Sequence, residues 1–228
     1  MKLASYNIRK AVGLDRRRDP ARILDVVNHI GADVIVLQEA DRRLGPRHAA
    51  LPRQLIADHT DYEPVALAVN EVSIGWHGNA ILVKKGTEVS DPQRITLPGL
   101  EPRGAVSAVI EGRLRVVGVH LGLLRRNRHG QMRSIRKALE SCTRPTAVLG
   151  DFNEWSPRVG FEEFQDHFSI LAPGKSFHAS RPMAALDRVG LSPGLEARTG
   201  GVIETRLSRV ASDHLPVWVE LDLPKTPG

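Results

Sequence analysis

Two runs of apolar residues, each closed by an acid, constrain this chain more than anything else in it. They are Val34-Ile35-Val36-Leu37, followed by Gln38-Glu39, and Ala147-Val148-Leu149, followed by Gly150-Asp151. A strand with one face in water alternates apolar and polar side chains. A strand that does not alternate is covered on both faces. Such strands need apolar layers above and below, which points to a layered α/β protein. An acid at the carboxyl end of such a strand stands at a sheet edge, where ligand crevices form.

Elsewhere the pattern changes period. Asp19 is placed as an N-cap, Pro20 fits the first helical position, Ile23, Val26, Val27 and Ile30 share one face, and Gly31 can end the helix. A second helix is expected over 49–59, a third on the stripe Met132, Ile135, Leu139 and Cys142, and a short helix or turn over 161–168. Strands are expected at 3–8, 33–39, 64–69, 79–84, 93–97, 103–110, 113–119, 145–149 and 216–221, with Glu111-Gly112 as a tight hairpin turn. Strand–helix units therefore mix with hairpins in both halves, which argues for sheets covered by helices and against an alternating parallel barrel. No repeat or linker interrupts 1–223, so one domain is expected, with 224–228 as a short flexible tail.

Composition removes several classes. Apolar residues at 41% and charged residues at 25% describe a globular chain. No run approaches the roughly 20 apolar residues of a membrane span. The single cysteine, Cys142, excludes an intramolecular disulfide and a cysteine-based zinc site. The opening MKLASYNIRK has no apolar h-region, so a cytoplasmic protein is expected, and a monomer. Net charge is +6, carried by 25 Arg and 7 Lys. That balance either draws polyanions such as nucleic acid or anionic lipid headgroups, or reflects composition alone. The clusters Arg16-Arg17-Arg18 and Arg125-Arg126-Asn127-Arg128-His129 are not interleaved with aromatics, so a base-stacking platform has little support.

Polar residues recur where strands are expected to end: Asn7, Glu39, His120, Asp151 with Asn153, and Asp213-His214 just before the last strand. Carboxylates without cysteine partners are hard oxygen ligands suited to Mg²⁺, with Mn²⁺ as the alternative. An imidazole near a carboxylate moves protons near neutral pH, and an amide can donate to developing phosphoryl charge. Together these form a kit for hydrolysing phosphate esters.

These residues also carry a resemblance. The segments Ser5-Tyr6-Asn7-Ile8, Leu37-Gln38-Glu39, Gly78-Asn79-Ala80-Ile81-Leu82, Val119-His120-Leu121, Gly150-Asp151-Phe152-Asn153, Leu186-Asp187-Arg188-Val189 and Ser212-Asp213-His214-Leu215-Pro216-Val217 resemble, in order, those of the endonuclease/exonuclease/phosphatase superfamily. Its members include exonuclease III-type nucleases, deoxyribonuclease I, sphingomyelinases and inositol polyphosphate 5-phosphatases. The overall look is that of its small bacterial members. The resemblance implies a four-layer α/β sandwich, with two facing mixed β-sheets flanked by helices. It implies Glu39 as principal metal ligand, Asn7 holding Glu39 or the metal shell, and Asp213 assisting through water. Asp151 would orient the attacking water, and Asn153 would bind the scissile phosphate. His120 would donate to a phosphate oxygen. His214 would act on the nucleophile or stabilise phosphorane-like charge, with Asp187 fixing its tautomer. A salt bridge from Asp187 to an arginine such as Arg188 is the competing expectation. Arg103, in Glu101-Pro102-Arg103-Gly104, would brace the phosphate or lie on the surface, and His178 reads as an ordinary loop residue.

Two departures narrow the reading. Arg9 stands where exonuclease III-type enzymes carry an acid, which favours one metal over two. Arg188-Val189-Gly190-Leu191 lacks the large aromatics that flank the abasic-site pocket of repair nucleases. The expected activity is that of a Mg²⁺-dependent phosphodiesterase acting on nucleic acid or phospholipid-type diesters by in-line attack of water. A phosphomonoesterase of small soluble or inositol-type phosphates is the alternative, and a non-enzymatic nucleic-acid-binding module a distant third.

Overall fold

The computed structural model describes residues 1–42 and 45–223; the tail expected at 224–228 lies outside the described residues. Two six-stranded mixed sheets carry the fold. In spatial order the first holds β11 (Glu196–Val202), β12 (Val217–Asp222), β1 (Lys2–Asn7), β2 (Val34–Gln38), β4 (Ala80–Lys84) and β3 (Tyr62–Pro64). The second holds β5 (Val89–Leu97), β6 (Arg103–Ile110), β7 (Leu114–His120), β8 (Thr146–Asp151), β10 (Asp187–Leu191) and β9 (Ser169–Leu171). Each sheet has one parallel pair at its centre, β1 with β2 and β7 with β8. The helices α1 (Pro20–Ile30) and α3 (Arg125–Leu139) make the two crossovers, and α2 (Arg53–His59) and α4 (Ser208–Ala211) are short.

The unalternating strands sort their side chains between two cores. On β2, Val34 and Val36 point into the cluster between the sheets, while Ile35 and Leu37 pack with Ile23, Val27 and Ile30 of α1. On β8, Ala147 and Leu149 join the inter-sheet cluster, while Val148 packs with Met132 and Ile135 of α3. The result is a helix–sheet–sheet–helix sandwich. The α1 signals are all used: Asp19 accepts a hydrogen bond from the Arg22 N–H at 3.0 Å, and Gly31 ends the helix at φ 59°. Glu111 and Gly112 both take positive φ, 51° and 62°, as the β6–β7 hairpin requires.

Three expected boundaries moved. The second helix begins at Arg53, not at 49, because Pro52 biases the residue before it away from helical backbone; Ala49 and Ala50 instead donate to the carbonyls of Val72 and Ala40. The strand expected at 64–69 ends at Pro64, after which the Leu67 N–H turns back onto the Val65 carbonyl. The strand expected at 93–97 starts at Val89, with a register shift between Ser90 and Gln93 on an edge that carries Pro92. Cys142 lies beyond the end of α3. Among the described residues no helix is long and apolar enough to cross a membrane.

Candidate active site

The two parallel pairs aim their carboxyl ends the same way. Asn7 faces Gln38 across β1 and β2, His120 faces Asp151 across β7 and β8, and Asp187 at the start of β10 faces Asp151 from the other side. At these ends a hydrogen bond joins the sheets: the Asn7 amide donates to Asp151 Oδ2 at 3.1 Å. Gly150 is required just before the acid, because at its φ of 155° a Cβ would lie 1.9 Å from the Val119 carbonyl oxygen.

Asp151 is the centre of the cluster. Its Oδ1 accepts the Asn153 N–H at 2.9 Å, and its Oδ2 lies 3.5 Å from His120 Nε2 and 3.6 Å from His214 Nε2. Burial, with Asp187 adding to it, outweighs His214 and the two amide donors and lifts the Asp151 carboxyl to about 6. His214 is bound on its other nitrogen, with Nδ1 at 2.8 Å from Asp187 Oδ2. Burial alone would disfavour the imidazolium, but Asp187 and then Asp151 overcome it and raise His214 to about 10. Asp187 is fully buried and also accepts from the Ser176 hydroxyl at 2.5 Å. Arg188 turns away to the Ser156 carbonyl at 3.2 Å and the face of Phe161, so the competing Asp187–Arg188 pair is not formed.

The remaining carboxylates are more open. Side-chain exposure is 17% for Glu39 and 25% for Asp213, against 2% for Asp151. Glu39 pairs with the Lys10 ammonium, and Asp213 pairs with Arg9 Nε at 3.3 Å. Asn7 Oδ1 accepts the Arg9 N–H at 3.1 Å, so the Asn7 side chain contacts Asp151 and the following turn rather than Glu39. Glu39, Arg103 and His120 line one cavity of about 260 Å³ together with Lys10, Asp41 and His77. Arg103 binds the Glu101 carboxylate at 2.9 Å. The Asn153 amide donates to the Leu121 carbonyl at 2.8 Å. His178 lies on the rim, with Nδ1 at 3.0 Å from the Ser180 hydroxyl.

Several residues at the site were not foreseen. Ser176 sits in the Ser176-Phe177-His178 segment, where attention falls on the histidine. Lys10 follows the Asn7 motif directly, but a lysine in a turn carries no pattern. The Phe177 ring packs 5.0 Å from His214 and meets the exposed Trp155 edge-on at 5.8 Å. Behind this rim a buried ion pair, Arg128 with Glu154 at 2.6 Å, ties the start of α3 to the loop after β8. Arg128 also donates to the Leu123 carbonyl at 2.6 Å.

Among the described residues no three His, Cys, Asp or Glu side chains close into a preformed cation cage. The donor set is still hard oxygen. Mg²⁺-type ions use one or two carboxylates and retain several waters, so they need no such cage. Glu39 opens onto the cavity, and its carboxylate, which now holds the Lys10 ammonium, is a hard oxygen donor of the kind such an ion uses.

Comparison with known proteins agrees with the fold. The chain is 26% identical over 245 residues to the protein described as uncharacterized protein YbhP of Escherichia coli K12, covering 97% of this chain and 96% of that one. Its fold superposes on a Bacteroides thetaiotaomicron mannosyl-6-phosphatase with a TM-score of 0.72 at 17% identity, covering 97% of this chain and 99% of that one. It superposes on D. rerio TDP2 complexed with a single-strand DNA product with a TM-score of 0.69 at 14% identity, covering 97% and 98%. The model of the Endonuclease/Exonuclease/phosphatase family matches residues 4–214, which takes in every strand of the cluster and both histidines, and the chain belongs to that family.

Proposed function

We propose that this protein is a divalent-metal-dependent phosphodiesterase acting on nucleic acid or phospholipid-type diesters by in-line attack of water. The observation that carries the reading is the Asn7–Asp151–His214–Asp187 chain of contacts, with His120 beside it, at the joined carboxyl ends of both sheets. Asp151 is the base: its carboxylate is the buried acceptor among four donors and takes the proton from the attacking water. His214, held protonated by Asp187, donates to the charge that grows on the phosphoryl oxygens. His120, on the wall of the cavity, would donate beside it, Asn153 would turn its amide from the Leu121 carbonyl to the phosphate, and Arg103 would add positive charge across the cavity.

Glu39 would hold a Mg²⁺- or Mn²⁺-type ion, with Asn7 and Asp213 oriented by the same turn. Such an ion would polarise a phosphoryl oxygen and steady the leaving oxygen.

The rim favours a diester over a small sugar phosphate. Exposed Leu123, Leu124, Trp155 and Val159 stand beside exposed Arg125, Arg126 and Arg158. Apolar surface next to cations suits a phosphate flanked by something flat or greasy, as in nucleic acid or phospholipid. A monomer in the cytoplasm is the working expectation.

The test is hydrolysis of plasmid DNA and of phospholipid vesicles with Mg²⁺ and with EDTA, using Asp151→Asn purified in parallel. Mg²⁺-dependent turnover of either diester, lost in the variant while its circular dichroism is unchanged, supports the proposal. Turnover of small monoesters alone would move the assignment to a phosphatase. Full activity in Asp151→Asn would overturn the mechanism.

A further inference from the structure

We propose that Lys10 is a resident counter-cation of Glu39, which a divalent ion has to displace, so that the Arg9-Lys10 turn sets the metal affinity of this protein. The inference rests on the reading of Glu39 as a metal ligand.

The turn after β1 is unusual backbone. Arg9, Lys10 and Ala11 take φ of 47°, 57° and 60° in succession, and none is glycine. Left-handed backbone is costly for a non-glycine residue, so three in a row persist only where surrounding bonds hold them. Those bonds are present. The Lys10 N–H donates to the Glu39 carbonyl at 3.1 Å, the Ala11 N–H to Ile8 at 2.8 Å, and the Asp19 N–H to Ala11 at 2.8 Å. Glu39 itself is left-handed, at φ 53°. Main chain is thus bonded to main chain at Lys10 and Glu39, and the two side chains have a short common reach.

One turn therefore touches every oxygen donor assigned to the ion. Lys10 holds the Glu39 carboxylate, the Arg9 N–H holds Asn7 Oδ1, and the Arg9 guanidinium holds Asp213. A divalent ion on Glu39 competes with the ammonium for the same oxygens, and two cations at that spacing repel. The lysine has somewhere to go. Its four-carbon stem is flexible, and it already lines the cavity shared with His77, Arg103 and His120. Displaced there, Lys10 becomes a phosphate-facing cation. A lysine with only a structural role would behave differently: its removal would cost stability and leave metal affinity alone or weaken it.

The experiment is direct Mn²⁺ binding by electron paramagnetic resonance on EDTA-stripped full-length protein, with no substrate, confirmed by calorimetry. The variants are Lys10→Met, Lys10→Gln, Lys10→Arg and Glu39→Gln, each checked for a native melting transition. Lys10→Met and Lys10→Gln are expected to lower the Mn²⁺ Kd at least tenfold, which corresponds to about 1.4 kcal/mol. Lys10→Arg should stay near wild type, and Glu39→Gln should lose binding. If Glu39→Gln loses binding while the neutral Lys10 variants are unchanged or weaker, this inference fails and the metal assignment stands. If no variant binds Mn²⁺, or Glu39→Gln binds like wild type, the metal assignment fails and this inference with it.

Discussion

Replacing Asp187 with Asn should make stability depend on pH in a way that reports the charge on His214. Asp187 is fully buried, and its Oδ2 is shared by His214 and the Ser176 hydroxyl, so the near-isosteric amide removes a charge and little volume. His214 is raised from 6.5 to about 10 against the opposing effect of burial. A group whose affinity for the proton is higher when folded stabilises the fold fully below its unfolded pKa. That contribution is lost as pH rises through the folded value. The wild-type advantage should therefore be largest near pH 6 and fade between about pH 7 and 10. At about 1.4 kcal/mol for each tenfold in proton affinity, the ceiling is about 5 kcal/mol. Removing one partner of a buried pair commonly costs about 3–5 kcal/mol, and Asp151 still faces the imidazolium in the variant, so we expect the lower end, about 3 kcal/mol. For a chain of this size that is a fall in Tm of roughly 6–12 °C. Above about pH 10 wild type holds a buried carboxylate whose Oδ1 has no hydrogen-bond partner, and the variant should match or exceed it. The assay is thermal unfolding in EDTA at intervals from pH 6 to 10.5. A Tm difference that stays constant across that range, or a variant more stable at pH 6, would refute the reasoning.

Two further substitutions probe the packing that positions the site. Gly118→Ala should cost about 1–3 kcal/mol in urea unfolding, because the new Cβ would lie 2.6 Å from Val36 Cγ1 and 3.1 Å from Val106 Cγ2 where the sheets approach; an unchanged midpoint would mean the sheets separate easily there. Arg128→Met should cost about 3–5 kcal/mol by leaving Glu154 buried without its partner, and Arg128→Met with Glu154→Met should recover most of that loss; a double variant no better than the single one would show that the carbonyl contacts of Arg128, not the pair, brace the loops.

Much of the fold was legible because burial on both faces leaves a local signature. The runs at 34–37 and 147–149 are unalternating in the sequence, and in the structure they divide residue by residue between two cores. The α1 boundaries were legible because Asp19, Pro20 and Gly31 act on their own backbone. What was not legible depended on partners far along the chain. Nothing in 89–92 marks a strand, since those residues are mostly exposed on an edge and are held by pairing with β6. The same division holds at the site. Acids, amides and imidazoles at strand ends stand out against apolar neighbours. Ser176 does not, since its role exists only because β10 brings Asp187 within 2.5 Å of it.

The cations were the harder part, and they decide what the acids can do. Glu39, Asp151, Asp187 and Asp213 are four carboxylates gathered at one sheet junction, and a phosphodiester is itself an anion. Left bare, that group would repel its substrate and raise its own proton affinity. The chain offsets each in a different way. Asp187 is matched by His214 Nδ1, Asp213 by Arg9 and Glu39 by Lys10, while Asp151 has no cation of its own and shares the same imidazolium, whose Nε2 lies 3.6 Å away. The acid that shares its cation is the one that burial lifts to about 6, and it is the one the proposed mechanism uses to accept a proton from water. A count of acidic residues would treat the four alike. In the proposed mechanism the arrangement of positive charge separates one base from one orienting group and two carboxylates that a metal would claim, and that separation follows from a turn and two histidines rather than from the acids themselves.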